Sequence, residues 1–291
     1  MQVRHALAIL ALFLLSLISC GEPGESRVPT PEATDEPPRV AVLSPAIADV
    51  MRDIGMGELL VARHSFDQFS DPSLPIVGDQ TGLDYEALIR VNPTHVILER
   101  SATGMPPELE RLARERSWSL VEIPMLTLDD ILWCDNALIT HLYPGLMTEF
   151  FDESAAYLII PFEHVARHFG TTMLVLGVDP IGALGPDSHH AQALRRMGIE
   201  VVPSTGASYQ SLSLEDVIAF QPDTIIVLRP DMDAKADAPL REVDIEEFAT
   251  LNALTDTRLL ICEQPKCLLP SMAVVKFANA VLLDAPIGSQ E

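Results

Sequence analysis

The chain has 291 residues, 48% of them apolar and 5% aromatic, enough to bury a stable core in one or two domains. It carries 19 basic against 42 acidic side chains, a formal charge of −23. That balance argues against a nucleic-acid partner, whose phosphates need clustered Lys and Arg, and against electrostatic docking on anionic lipid; it reads as a solvated surface or as one that meets a basic partner.

Residues 1–20 carry a positive Arg4, run apolar from Ala6 to Ile18 apart from Ser16, and end in Leu17-Ile18-Ser19-Cys20. The apolar run suits the core of an export signal and is shorter than the ~20 residues of a transmembrane helix. Its ending resembles the bacterial lipobox, which implies cleavage before Cys20 and acylation of that thiol. An uncleaved anchor and a plain secretory signal with an incidental cysteine are the alternatives. Residues 21–38, GEPGESRVPTPEATDEPP, have almost nothing to bury and read as a disordered tether. The expectation is an exported protein, held in the cell envelope by lipid alone.

Beyond the tether the chain alternates strands and helices. Arg39 to Leu43 is an apolar strand, followed by a Ser44-Pro45 turn, a helix, Ile54-Gly55-Met56-Gly57 and a second strand at Leu59-Leu60-Val61. Asp84 then caps a short helix, Tyr85 to Asn92, which Pro93 stops before the strand Val96-Ile97-Leu98. Leu126 to His168 has a helical pattern interrupted at Pro144-Gly145 and Pro161. Met173 to Gly177 opens a second series, with a helix from about Ser188, Met197-Gly198 and a strand at Val201-Val202. There the capped unit recurs: Ser213-Leu214-Glu215-Asp216-Val217-Ile218-Ala219-Phe220-Gln221-Pro222 leads into Ile225-Ile226-Val227. The continuous apolar strands fit a parallel sheet covered on both faces. The fold expected is α/β: two similar lobes, each a mainly parallel sheet flanked by helices, joined by a helical linker. The divisions are 39–125, 126–170 and 171–291.

The cysteines and catalytic motifs carry less. Cys134 sits beside Trp133 in an apolar stretch and reads as buried. Cys262 and Cys267 flank a short loop, which in an oxidising compartment leaves open a disulfide between them; sequence does not supply the geometry. No CxxC pair suggests zinc, and no GxxxxGK[ST], HExxH or GxSxG is present.

The order and spacing of these residues resemble the class III periplasmic binding proteins, which carry cobalamin, haem and iron–siderophore complexes to ABC importers. The resemblance rests on Val40 to Ile47, Ile54 to Gly57, Val77-Gly78-Asp79 and the Glu86 helix in the first half. In the second it rests on Leu184-Gly185-Pro186-Asp187-Ser188, the Glu215 helix and Leu251 to Leu283. It implies a monomeric binding protein without a resident cofactor or catalytic residues, a metal chelate held between the lobes, and an importer permease as partner. It also implies that Glu86 and Glu215, one per lobe, dock on basic pockets of the permease. A carboxylate in a first helical turn is also favoured by the helix dipole alone, by ~0.3–1 kcal/mol.

A cleft in this architecture is lined by loops after the strands' C-terminal ends. The ligand-binding candidates are therefore Ser44, Pro45, His64, Phe66, Arg100, His189, His190, Tyr209 and Arg229. Phe66, Phe69 and Tyr209 offer apolar walls; Arg100 and Arg229 suit an anionic chelate. His189 and His190 open a helix and could ligate a tetrapyrrole metal, although adjacent side chains diverge, so at most one would reach it. Two other functions remain open: a metal-dependent envelope enzyme using Asp187, His189 and His190, and a lipid-anchored sensor or scaffold of the same fold.

Overall fold

Val40–Val42 (β1) is buried on both faces and sits near the centre of the first sheet. The computed structural model describes residues 36–145, 161–178, 180–243 and 256–285, and so leaves Cys20 outside. Leu60–His64 (β2) and His95–Glu99 (β5) flank β1 in parallel. Ile76–Asp79 (β3) and Gly82–Leu83 (β4) extend one edge and Ser119–Ile123 (β6) the other, giving the order β4-β3-β2-β1-β5-β6. Only the β3–β4 pair is antiparallel.

The second sheet is mixed. Thr171–Val178 (β7), Thr224–Leu228 (β11) and Arg258–Cys262 (β13) run parallel through its centre, and Glu200–Val202 (β9) pairs parallel with β7. Ile181–Leu184 (β8), Tyr209–Leu212 (β10) and Arg241–Glu242 (β12) pair antiparallel at its edges. Every residue of β11 is buried, as a strand covered on both faces requires.

The repeated unit appears as two matched helices, Tyr85–Val91 (α2) and Leu214–Phe220 (α8). The side chain of Asp84 accepts from Ala87 N at 2.9 Å, and that of Ser213 from Asp216 N at 3.2 Å. Both helices stop before the proline, as expected, and each does so through a left-handed residue. Asn92 and Gln221, each before a proline, are left-handed with φ of 47° and 48°, rather than extended. An amide residue tolerates that region, and Asn92 is held there as Oδ1 accepts from Trp118 Nε1 at 3.2 Å.

Pro45–Asp53 (α1) follows β1, with Pro45 at its first position and Ser44 as N-cap. Pro107–Arg116 (α3) packs Leu109 and Leu112 beneath the first sheet. Between the sheets lie Leu128–Leu132 (α4), Cys134–Leu142 (α5), which ends just before Pro144, and Glu163–Phe169 (α6), which begins after Pro161; residues 146–160 are outside the description. His189–Arg196 (α7) and Ala273–Asp284 (α9) complete the second lobe. A single apolar core joins the lobes: Met51 of α1, Leu138 of α5, Leu194 of α7 and Phe277 of α9 belong to it. Prising the lobes apart would expose this packed surface, so a small closure fits the fold better than a wide hinge. Each sheet also keeps a core of its own on the far side. Among the described residues no helix is long and apolar enough to cross a membrane.

Candidate functional site

The seam between the lobes is built on α1. Its apolar face is interrupted by Asp49, which is fully buried and therefore needs partners. It has three: Ser271 Oγ donates to it at 2.7 Å, Arg52 at 3.1 Å, and Lys266 completes an ion pair. One turn on, Asp53 pairs with Lys276 of α9 at 2.8 Å. Arg52 also reaches Asp67 at 3.1 Å, in the loop after β2. Asp67 is itself buried and accepts from the backbone N–H groups of Phe69 and Ser70, each at 3.1 Å, which shapes the loop around Phe69.

Beside this network a pocket of about 280 Å³ opens between the lobes. Phe69 supplies the first lobe's wall. Met232, Ala234 and Ala236 come from the loop after β11, Gln264, Pro265 and Lys266 from the loop after β13, and Ala273 and Lys276 from α9. The wall is largely apolar with two ammonium groups, and the Lys266 ammonium also lies 5.0 Å from the Phe69 ring centroid. Among the described residues no group of three or more His, Cys, Asp or Glu converges as a metal site.

The residues singled out in the sequence are spread more widely. Ser44 is buried, caps α1 by accepting from Ile47 N at 3.2 Å, and donates to Glu99; it and Pro45 start a helix and are not part of the pocket wall. His64 ends β2, where Nδ1 accepts from Phe66 N at 3.2 Å and the two rings meet at 5.2 Å. Phe66 is half exposed and Phe69, three residues on, is the aromatic that reaches the pocket. Arg100 is exposed, with its backbone N–H bonded to Ile123 O. Arg229 pairs with Glu263 at 2.9 Å, and Arg241 joins the same carboxylate at 3.0 Å; Arg241 and then Arg229 hold the Glu263 carboxyl below its ordinary range. Tyr209 is exposed on the edge strand β10 with its ring lying over Gly182, so that a larger side chain there would have to displace the ring.

His189 with His190 and Cys262 with Cys267 are also among the residues singled out in the sequence. His189 and His190 do diverge, but neither stands in the pocket wall. His189 donates from Nε2 to Met125 O at 3.1 Å, and burial lowers its pKa. His190 is buried against Phe277 and donates to Cys267 O at 2.7 Å; burial pushes its pKa down to about 4, so the ring is neutral. The ring faces the core because α7 packs on α9 along that side. Cys262 and Cys267 are free thiols, both buried, with Cys267 Sγ donating to Cys262 O at 3.7 Å. The loop between them is tied down by Gln264 and Lys266 rather than closed by a sulfur–sulfur bond. Hydrogen bonding to Cys262, and then burial, raise the Cys267 pKa.

Glu86 and Glu215 occupy the same second helical position of α2 and α8, and both are exposed. Sequence reasoning missed Asp49, Met232, Gln264, Lys266 and Lys276. One signal was present for Asp49, a carboxylate among Ala46, Ile47, Val50 and Met51.

No family model matches the sequence, and no curated protein does. Solved structures do share its fold. The periplasmic haem-binding protein HutB of Vibrio cholerae aligns with a TM-score of 0.63 at 19% identity, over 85% of this chain and 99% of that one. The periplasmic haem-binding protein RhuT of Roseiflexus sp. RS-1, in apo form, gives 0.53 at 20%, over 86% and 100%. The periplasmic vitamin B12-binding protein BtuF of Vibrio cholerae gives 0.55 at 17%, over 85% and 95%. The two-lobed α/β fold of these binding proteins is therefore the fold of this chain.

Proposed function

We propose that this protein is the substrate-binding subunit of an ABC importer, capturing a metal chelate between its lobes and handing it unchanged to a membrane permease. The cargo class is a corrinoid, haem or a ferric siderophore. The observation that carries the reading is the pocket whose walls come from both lobes, at the C-terminal ends of β2, β11 and β13. The solved proteins of like fold that bind haem or vitamin B12 support it. The lipobox-like Cys20 would anchor the chain in the envelope, and it would act as a monomer.

Glu86 and Glu215 would dock the permease. Each is exposed at the start of a capped helix, one on each lobe, so a basic partner that engages both registers both lobes at once. The test is uptake of a labelled chelate by cells carrying Glu86→Arg together with Glu215→Arg. Uptake should fall at least ~10-fold, as loss of two charge-assisted contacts implies, while the affinity of the purified protein for the chelate stays within twofold. Undiminished uptake by the double variant overturns the docking role.

A further inference from the structure

Gln264 follows β13 by two residues, is 2% exposed and forms part of the pocket wall. Its Nε2 donates to Ala238 O at 2.9 Å and to Lys276 O at 3.3 Å. Both partners are backbone carbonyls, which only accept, so the amide is oriented with its nitrogen toward them. The other end of the amide, Oε1, is buried and finds no hydrogen-bond partner among the described residues. Buried polar atoms are seldom left in that state, and one on a residue of a pocket wall points to a donor that a ligand brings as the side chain shifts toward it.

The cations around the same space are also unusual for this chain. It has three lysines, Lys235, Lys266 and Lys276, against 42 acidic residues. Lys266 and Lys276 line the pocket, and Lys235 lies between Ala234 and Ala236, which line it too. Neither pocket lysine is locked to its carboxylate. If Lys266 turns to a ligand, Asp49 keeps Arg52 at 3.1 Å and Ser271 at 2.7 Å. If Lys276 turns, Asp53 is 25% exposed and water takes its place.

On the cargo-binding reading, we infer that Gln264 determines specificity in this pocket: its Oε1 accepts from an N–H or O–H at the rim of the chelate, and Lys266 and Lys276 take an anionic oxygen beside that donor. The ligand class is a chelate whose rim offers amide or hydroxyl donors next to an anion. A rim of ionised carboxylates alone would set acceptor against acceptor at Oε1. At about 280 Å³, just under the ~300–1,000 Å³ usual for small-molecule sites, the pocket takes such a rim or side arm, with the metal outside it.

The full chain decides the matter by equilibrium titration with four probes. Cobalamin presents amide N–H groups near a phosphodiester, and ferric aerobactin amide N–H groups near ionised carboxylates; cobyrinic acid and haem present carboxylates without N–H donors. The better donor-rimmed probe should bind at least ~10-fold tighter than either carboxylate-rimmed one, and Gln264→Met should erase that ratio, the range expected when one hydrogen-bonded contact discriminates. A wild-type ratio near one or reversed overturns the inference and leaves cargo binding standing, as does a ratio that survives in folded Gln264→Met. If that variant does not fold, the wild-type ratio decides alone. Binding of none of the four overturns the cargo reading along with the inference.

Discussion

The outer helices α2 and α8 and the seam helices α1 and α9 place charge in opposite ways. On α2 and α8 the carboxylates of Glu86 and Glu215 stand in water, supported by a local cap and the helix dipole, and neither is needed to hold the lobe together. On α1 the carboxylate of Asp49 is sealed between the lobes and partnered by Lys266 and Ser271, residues far away in the chain. An exposed charge repeated in both lobes is free to meet a partner. A buried charge shared by both lobes fixes their relative placement and sets the lysines beside the pocket.

Breaking the seam should have the largest effect. Asp49→Ala leaves Lys266 and Arg52 without their shared carboxylate, and loss of one partner from a buried charge cluster costs about 3–5 kcal/mol. Denaturant unfolding should register a loss of that order; less than about 1 kcal/mol would show that the seam is not held by this cluster.

Acid should weaken the same side of the molecule through His190. Its folded pKa, about 4, lies below the ordinary value of 6.5, so folding favours the neutral ring. The stabilising contribution is complete above pH 6.5 and is lost as pH falls toward 4, at about 1.4 kcal/mol per pH unit and about 3 kcal/mol in all. Comparing unfolding free energies of the wild type and His190→Gln across that window isolates the histidine, since Gln retains a donor for Cys267 O. The wild type should fall more steeply, and parallel curves would contradict the assignment.

The outer helices should respond less. Asp84→Ala and Ser213→Ala each remove an N-cap and should cost about 1 kcal/mol, equally in the two lobes. Unequal losses, read by thermal unfolding, would show that the repeat is one of sequence and not of energetics. Glu86→Ala and Glu215→Ala should change stability by less than about 0.5 kcal/mol, because both carboxylates are solvated. A larger loss would give these residues a structural role in place of docking.

The fold was legible because its signals are local. Cap, apolar pair, amide, proline and strand fall within some dozen residues of Asp84 and again of Ser213. The left-handed turns at Asn92 and Gln221 were not, since the proline rule predicts an extended residue and the amides override it. The site was poorly legible for the opposite reason. Asp49 meets Lys266 across 217 positions and Asp53 meets Lys276 across 223, and nothing local marks either pair. His189 and His190 stood out by type and adjacency, yet the faces of α7 that carry them pack against Met125 and Phe277. Phe66 and Phe69 sit in one loop and both offer an apolar wall in the sequence; only the turn built on Asp67 settles which ring reaches the pocket.

Whether cargo sits between the lobes is tested most directly by filling the space. The dissociation constant of the tightest-binding chelate should be measured by titration for the wild type, for Ala234→Trp, which puts an indole into the pocket, and for Glu86→Arg, which lies away from it. The account predicts a loss of at least ~100-fold for Ala234→Trp, the scale of a blocked site, and an unchanged constant for Glu86→Arg. Full affinity in a correctly folded Ala234→Trp protein would place the cargo elsewhere and contradict the account.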